Sequence, residues 1–156
     1  MDLANSLLPW HAHATTVLVA HLVWCTRGRS PWLEPRFDAW LASLLRRKAR
    51  RIECQLLAAG MAHDHVHLLV RHPPRICVAQ LAHRLEGASS HALRHELGNN
   101  TAGVWQVGYW AESVSPRDLE TLAPYVTRQR AHHAARPDAE DWELSATSSP
   151  PARAGF

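Results

Sequence analysis

The stretch His63-Asp64-His65-Val66-His67-Leu68-Leu69-Val70 alternates one set of side chains with another along its length. A period of two is the pattern of a strand, and in a strand it turns His63, His65 and His67 to one side and Asp64, Val66, Leu68 and Val70 to the other. An ordinary half-buried strand has assorted polar residues on its wet face. Three imidazoles there call for a ligand or a charge partner.

Working outward, Arg51 to Ala59 reads as a weaker strand, turned at Gly60-Met61-Ala62 into the histidine strand, which ends near Arg71. Pro73-Pro74 stops the hairpin. Farther upstream, Thr15 to Thr26 is β-branched and apolar and reads as a first, central strand. Pro35 to Arg50 has Phe37, Trp40, Leu41, Leu44 and Leu45 at helical spacing. Downstream, Cys77 to Leu97 is helical by period, with Leu81, Leu85, Ala88, Ala92 and Leu93 on one side and Gly98-Asn99-Asn100 closing it. Val104 to Ser113 reads as a fourth strand. Ser115-Pro116-Arg117-Asp118 opens a last helix reaching about Ala135, with Pro124 bending it or delaying its start. The order β-α-β-β-α-β plus a C-terminal helix is the split βαβ, ferredoxin-like arrangement, an α+β fold with a four-stranded antiparallel sheet. Many functions use that layout, so chemistry must come from particular residues.

Composition bounds those functions. With 156 residues, 46% of them hydrophobic, and 7 tryptophans, the chain supports one domain with a sizeable core. We assign residues 1–136 to it and expect 137–156 to be an acidic, loosely ordered tail. No apolar run approaches the roughly 20 residues of a membrane span, and the N-terminus lacks secretory features, so a cytoplasmic protein is expected. Cys25, Cys54 and Cys77 form no CxxC pair and read as buried reduced thiols. The net charge is +3, but the tail sets Asp138, Glu140, Asp141 and Glu143 against Arg153 alone, which leaves about +6 on the domain. All 17 basic residues except Lys48 are arginine, a bias that suits phosphate forks. The run Arg46, Arg47, Lys48, Arg50, Arg51, with Arg27, Arg29 and Arg128, is the candidate DNA-binding set. A solvated helix face is the plainer reading of that run.

The His65-x-His67 pair delivers two neutral nitrogens to one point and suits a divalent ion, but a third ligand has to come from elsewhere. Tyr125 and Gln129, four apart, share one face of the last helix. The glutamine carbonyl can complete a metal site while the phenol stands beside it as a nucleophile for phosphoryl transfer. A phosphotyrosine ester keeps the bond energy for rejoining, which agrees with the lack of a GxxxxGK[ST] loop. His63 reads as a possible outer support of the site, His132 and His133 as partners of the helix dipole or of phosphate, and Tyr109 as packing. Trp24, Trp40 and Trp105 read as core, while Trp32 or Trp110 is suited to stacking on a base at the sheet edge.

HDHVHLLV, the early VWCTRGRSPWL segment, Leu85-Glu86-Gly87-Ala88-Ser89-Ser90, Trp105-Gln106-Val107-Gly108-Tyr109 and Tyr125-Val126-Thr127-Arg128-Gln129 together resemble the single-tyrosine HUH transposases of small insertion sequences, over about Thr15 to His133. That resemblance implies cutting and rejoining of single-stranded DNA at hairpin-forming element ends through a 5′-phosphotyrosine intermediate with Mg²⁺ or Mn²⁺. It assigns His65, His67 and Gln129 as metal ligands and Tyr125 as nucleophile. It also implies a homodimer, often with the tyrosine helix exchanged between subunits. Where many relatives carry a lysine before the glycine of the second helix, this chain has Glu86. Two other classes compete with the transposase: a domesticated copy that only binds nucleic acid, and a metal-dependent hydrolase. The hydrolase needs more ligands and a longer chain than this one supplies.

Overall fold

The computed structural model describes residues 15–98 and 103–135. In chain order its elements are β1 (Leu18–Cys25), α1 (Asp38–Arg51), β2 (Gln55–Met61), β3 (His65–His72), α2 (Val78–Leu97), β4 (Trp110–Ser113), α3 (Leu119–Thr127) and α4 (Gln129–Ala135). Single 3₁₀ turns lie at Arg27–Arg29, Pro35–Phe37 and Pro116–Asp118. The sheet runs β2-β3-β1-β4 with every pair antiparallel, so the histidine strand and the first strand are central, as the α+β reading expects.

Alternation divides the sheet between two cores. Ala20, Leu22 and Trp24 of β1 and Val66, Leu68 and Val70 of β3 face α1 and α2, which contribute Leu41, Leu45, Leu81, Leu85 and Leu93. Val19 and Leu69 face the opposite way, against Leu119, Ala123 and Val126 of α3. The odd-numbered side of β3, which bears His65 and His67, therefore lies under the C-terminal helices. A bulge in β2 adjusts the register: Leu56 pairs with Val70 but Ala58 pairs with Leu69, so Leu56 serves the first core and Ala58 the second.

Several boundaries differ from the sequence reading. The hairpin turn falls at 62–64, not at Gly60, which stays inside β2 and pairs with His67. His63 thus sits in the turn and not on the strand. The fourth strand shrinks to Trp110–Ser113, because Gly108 takes φ 101° and ends the extended run; upstream of it only Thr26 and Trp105 form a bridge. The last helix starts with a 3₁₀ turn capped by Ser115, whose Oγ accepts from the Arg117 amide, and breaks at Arg128 into α3 and α4. Pro124 lies inside α3, whose second turn it enters without an amide to donate. Buried Ser89 takes the place expected of Ala88 in α2. Cys25 and Cys54 are buried and reduced, but Cys77 is exposed at the start of α2. The expected tail and the Asn99-Asn100 closure lie outside the described residues.

Candidate active site

The alternation of β3 presents His65 and His67 to α3 and α4, both imidazoles are buried, and their ring centroids are 5.0 Å apart. Their inner nitrogens are engaged. His65 Nδ1 donates to Asp64 Oδ1 at 2.7 Å, and the other carboxylate oxygen of Asp64 is held by Arg29 Nε at 2.9 Å. His67 Nδ1 meets His21 Nε2 at 3.0 Å, and His21 Nδ1 points back at Glu112 Oε1 at 3.5 Å. With the carboxylates as acceptors, protons sit on His21 Nδ1 and His67 Nδ1, and a chain Glu112, His21, His67 results. Both ligand candidates then carry their lone pair on Nε2, atoms buried in the site.

Electrostatics agree with a neutral ring at His67 and at His21. Burial holds the His67 imidazole well below its ordinary 6.5, with the neighbouring histidines at 65, 21, 133 and 132 adding to the shift. Burial also lowers His21, against a partial lift from Glu112. Asp64 is raised by burial, but its bond to His65 and the guanidinium charge of Arg29 outweigh that and leave it below the ordinary carboxylate value.

The helix side arrives by close approach. A Cβ on Gly60 would lie 1.6 Å from the Val126 carbonyl oxygen, so only glycine lets the end of α3 rest on β2 beside His67. Tyr125 then stands with its ring 6.1 Å from that of His67, nearly perpendicular, and its hydroxyl is buried. One turn later, Gln129 is fully buried. Its Nε2 donates to the Tyr125 carbonyl at 3.1 Å, while Oε1 has no hydrogen-bond partner among the described residues. Arg130 secures this segment with a two-pronged grip on Asp38 at the start of α1, at 2.7 and 2.6 Å, and a bond to the Leu33 carbonyl at 2.8 Å.

Two oriented imidazoles, and on the adjoining helix a buried amide oxygen that accepts no hydrogen bond among the described residues, are donors of the kinds that a divalent ion of mixed nitrogen and oxygen preference takes. Among the described residues no three His, Cys, Asp or Glu side chains are grouped to hold an ion.

Of the four residues marked out from sequence, His65, His67 and Tyr125 lie ring to ring within one chain, and Gln129 is tied to the Tyr125 carbonyl one turn on. The other expectations fare unevenly. His63 faces Arg130 at 3.5 Å in the turn. Arg29 is committed to Asp64 and to Cys25 Sγ, which makes it a support of His65. Arg128 is exposed at the α3–α4 break and Arg27 at the end of β1. Arg46, Arg47, Arg50 and Arg51 are exposed and Lys48 half-buried on α1, across the sheet from the histidines. His132 and His133, expected to serve the helix dipole or phosphate, come up against the site: their rings lie 5.1 Å from Tyr125 and 4.8 Å from His65. Sequence reasoning missed His21, Glu112, Gly60 and Arg130. The one available hint was His21 interrupting an apolar run.

The chain matches the family model described as Transposase IS200 like over residues 14–129. The transposase for insertion sequence element IS200 of Salmonella typhimurium LT2 is 24% identical over 123 residues, which cover 76% of this chain and 80% of the relative, and the Salmonella typhi protein matches equally. Among solved structures, a candidate transposase from Deinococcus radiodurans R1 superposes with a TM-score of 0.64 at 23% identity over 79% of this chain and 98% of that one. A REP-associated tyrosine transposase bound to a REP hairpin gives 0.59 at 13% identity, over 81% and 74%. At these identities the two structures establish a common fold. The family match begins before β1 and ends on Gln129, so it spans the whole sheet and the tyrosine helix, and by it this chain belongs to the IS200-like transposases.

Proposed function

We propose that this transposase cuts and rejoins single-stranded DNA with Tyr125 as nucleophile and with His65, His67 and Gln129 holding Mg²⁺ or Mn²⁺. The observation that carries the reading is the Tyr125 phenol 6.1 Å from the His67 ring, itself paired with His65, with the buried Gln129 one turn on and its Oε1 without a hydrogen-bond partner among the described residues. A bound divalent ion supplies charge neutralisation at the phosphodiester oxygens. The chain's own groups do the rest. The Tyr125 phenol gives up its proton and its oxygen forms a bond to phosphorus. The bond from phosphorus to the 3′ oxygen breaks, and that oxygen takes up a proton. A 5′-phosphotyrosine ester and a free 3′-hydroxyl result. Attack on the ester by another 3′-hydroxyl reverses the step and joins strands without a nucleotide cofactor.

The substrate in this reading is a DNA end that folds as a hairpin, handled in the cytoplasm. The structural relative solved with a REP hairpin supports that choice of substrate. We extend the proposal to a two-fold homodimer. Since the phenol and both imidazoles come from one chain, the second copy would add DNA-binding surface.

The test is incubation with single-stranded oligonucleotides from the DNA flanking the gene, followed by a denaturing gel. A protein-linked product that needs Mg²⁺ or Mn²⁺ and disappears with EDTA is expected. Hairpin binding that is indifferent to EDTA and gives no product in any metal would make the chain a binding protein only.

A further inference from the structure

Beside the phenol, an open groove of about 680 Å³ runs between the free edge of β4 and α3, within the roughly 300–1,000 Å³ of small-ligand sites. Its lining is unlike a phosphate channel. Trp110 and Glu112, two apart on β4, share the face that carries His21, and Asp118 and Tyr125 also line the groove. No arginine or lysine lines it among the described residues. The Trp110 ring stands edge-on to His21, 5.3 Å between centroids, and is only half-buried.

Two carboxylates with no cation between them repel phosphate but accept hydrogen bonds from exocyclic amines, and a half-exposed indole offers a flat apolar platform. We infer that this groove is a nucleobase subsite for the nucleotide next to the scissile phosphate. Trp110 stacks on the base, and Glu112 and Asp118 select bases that carry an amino group over thymine. The inference rests on the strand-transfer reading and adds to it a base preference set by the protein. Tyr125 fixes the subsite's position, because a strand whose phosphate reaches the phenol has its neighbouring base over this groove.

The test uses Tyr125→Phe protein, which keeps the groove and forms no ester, and short homopolymers of dC, dA and dT at fixed salt with Mg²⁺, read by fluorescence anisotropy. The expected result is dC and dA bound about tenfold more tightly than dT, as one good carboxylate-to-amine pairing provides. Adding Glu112→Gln and Asp118→Asn, whose carboxamides donate as well as accept, brings the three affinities within about twofold. Trp110→Leu weakens all three about tenfold while Trp110→Phe keeps most of the affinity, as a stacking platform requires. Equal binding of the three homopolymers by the Tyr125→Phe protein, or a preference untouched by the carboxamide pair, overturns the subsite. Absence of a Tyr125 adduct from wild-type protein with the base preference intact would instead sink the strand-transfer reading, leaving a base-binding groove but overturning its assignment to the nucleotide next to a scissile phosphate.

Discussion

The residues that decide the chemistry are oriented from behind. His67 reaches the site with its proton on Nδ1 because His21 accepts there at 3.0 Å, and Asp64 does the same for His65 at 2.7 Å. Removing such an outer partner typically costs 10–100-fold in metal affinity, so His21→Ala should weaken Mn²⁺ binding about tenfold or more in a titration read by electron paramagnetic resonance. Unchanged affinity would mean that the ring has no orienting role. Spacing made His65, His67, Tyr125 and Gln129 the candidates, since i, i+2 in a strand and i, i+4 in a helix are local rules. His21 was not legible as their partner. It reaches His67 diagonally across a strand pair, His21 pairing with Leu69, and no local pattern encodes that register.

Elements meet only where their surfaces allow it, and Gly60 is where β2 allows α3. Gly60→Ala places a methyl group into the Val126 carbonyl, so the end of α3 must lift away and carry Tyr125 and Gln129 with it. We expect a loss of stability of about 1–3 kcal/mol or more in urea unfolding, together with weaker metal binding. Full retention of both would mean that the helix does not need this approach. The bulge that sends Gly60 to this side of the sheet adds a residue without changing the composition of the strand, so the turn was read two residues early. Likewise, Val104, Trp105 and Tyr109 ahead of Trp110 have the composition of a strand but serve as loop packing against the first core, while Val107 between them is exposed.

On α2, burial raises the Glu86 carboxyl from 4.5 to about 7, with Oε1 lacking a hydrogen-bond partner among the described residues. The folded state therefore holds a proton that the unfolded chain releases. Glu86 contributes most below pH 4.5, and that contribution fades as pH rises to 7. Glu86→Gln should remove this slope and stabilise the protein at pH 8 by on the order of 2 kcal/mol. Thermal melts of the two proteins with parallel pH dependence would contradict the assignment.

At the scale of the molecule, the sheet separates two sides. The α3–α4 side carries the proposed site, and α1 lies on the other with the basic run at its C-terminal end. Asp38 of α1 touches the site side through Arg130, and at 1.5 Å per residue Arg46 lies about 12 Å and Arg51 about 20 Å farther along the axis. Neutralising Arg46, Arg47, Arg50 and Arg51 should leave adduct formation on a short single-stranded oligonucleotide within about twofold, while lowering the salt dependence of binding to longer hairpin DNA. A collapse of adduct formation on the short strand would show that the run reaches the site. The fold class was legible because element order alone defines it, whereas the side on which a charged face ends up depends on how helices cross the sheet. The central claim is a covalent one, so the most direct test is mass spectrometry of the proteolysed DNA adduct. A nucleotide phosphate on the peptide that contains Tyr125 is the predicted result. A phosphate on Tyr109, or an adduct that survives Tyr125→Phe, would contradict the account.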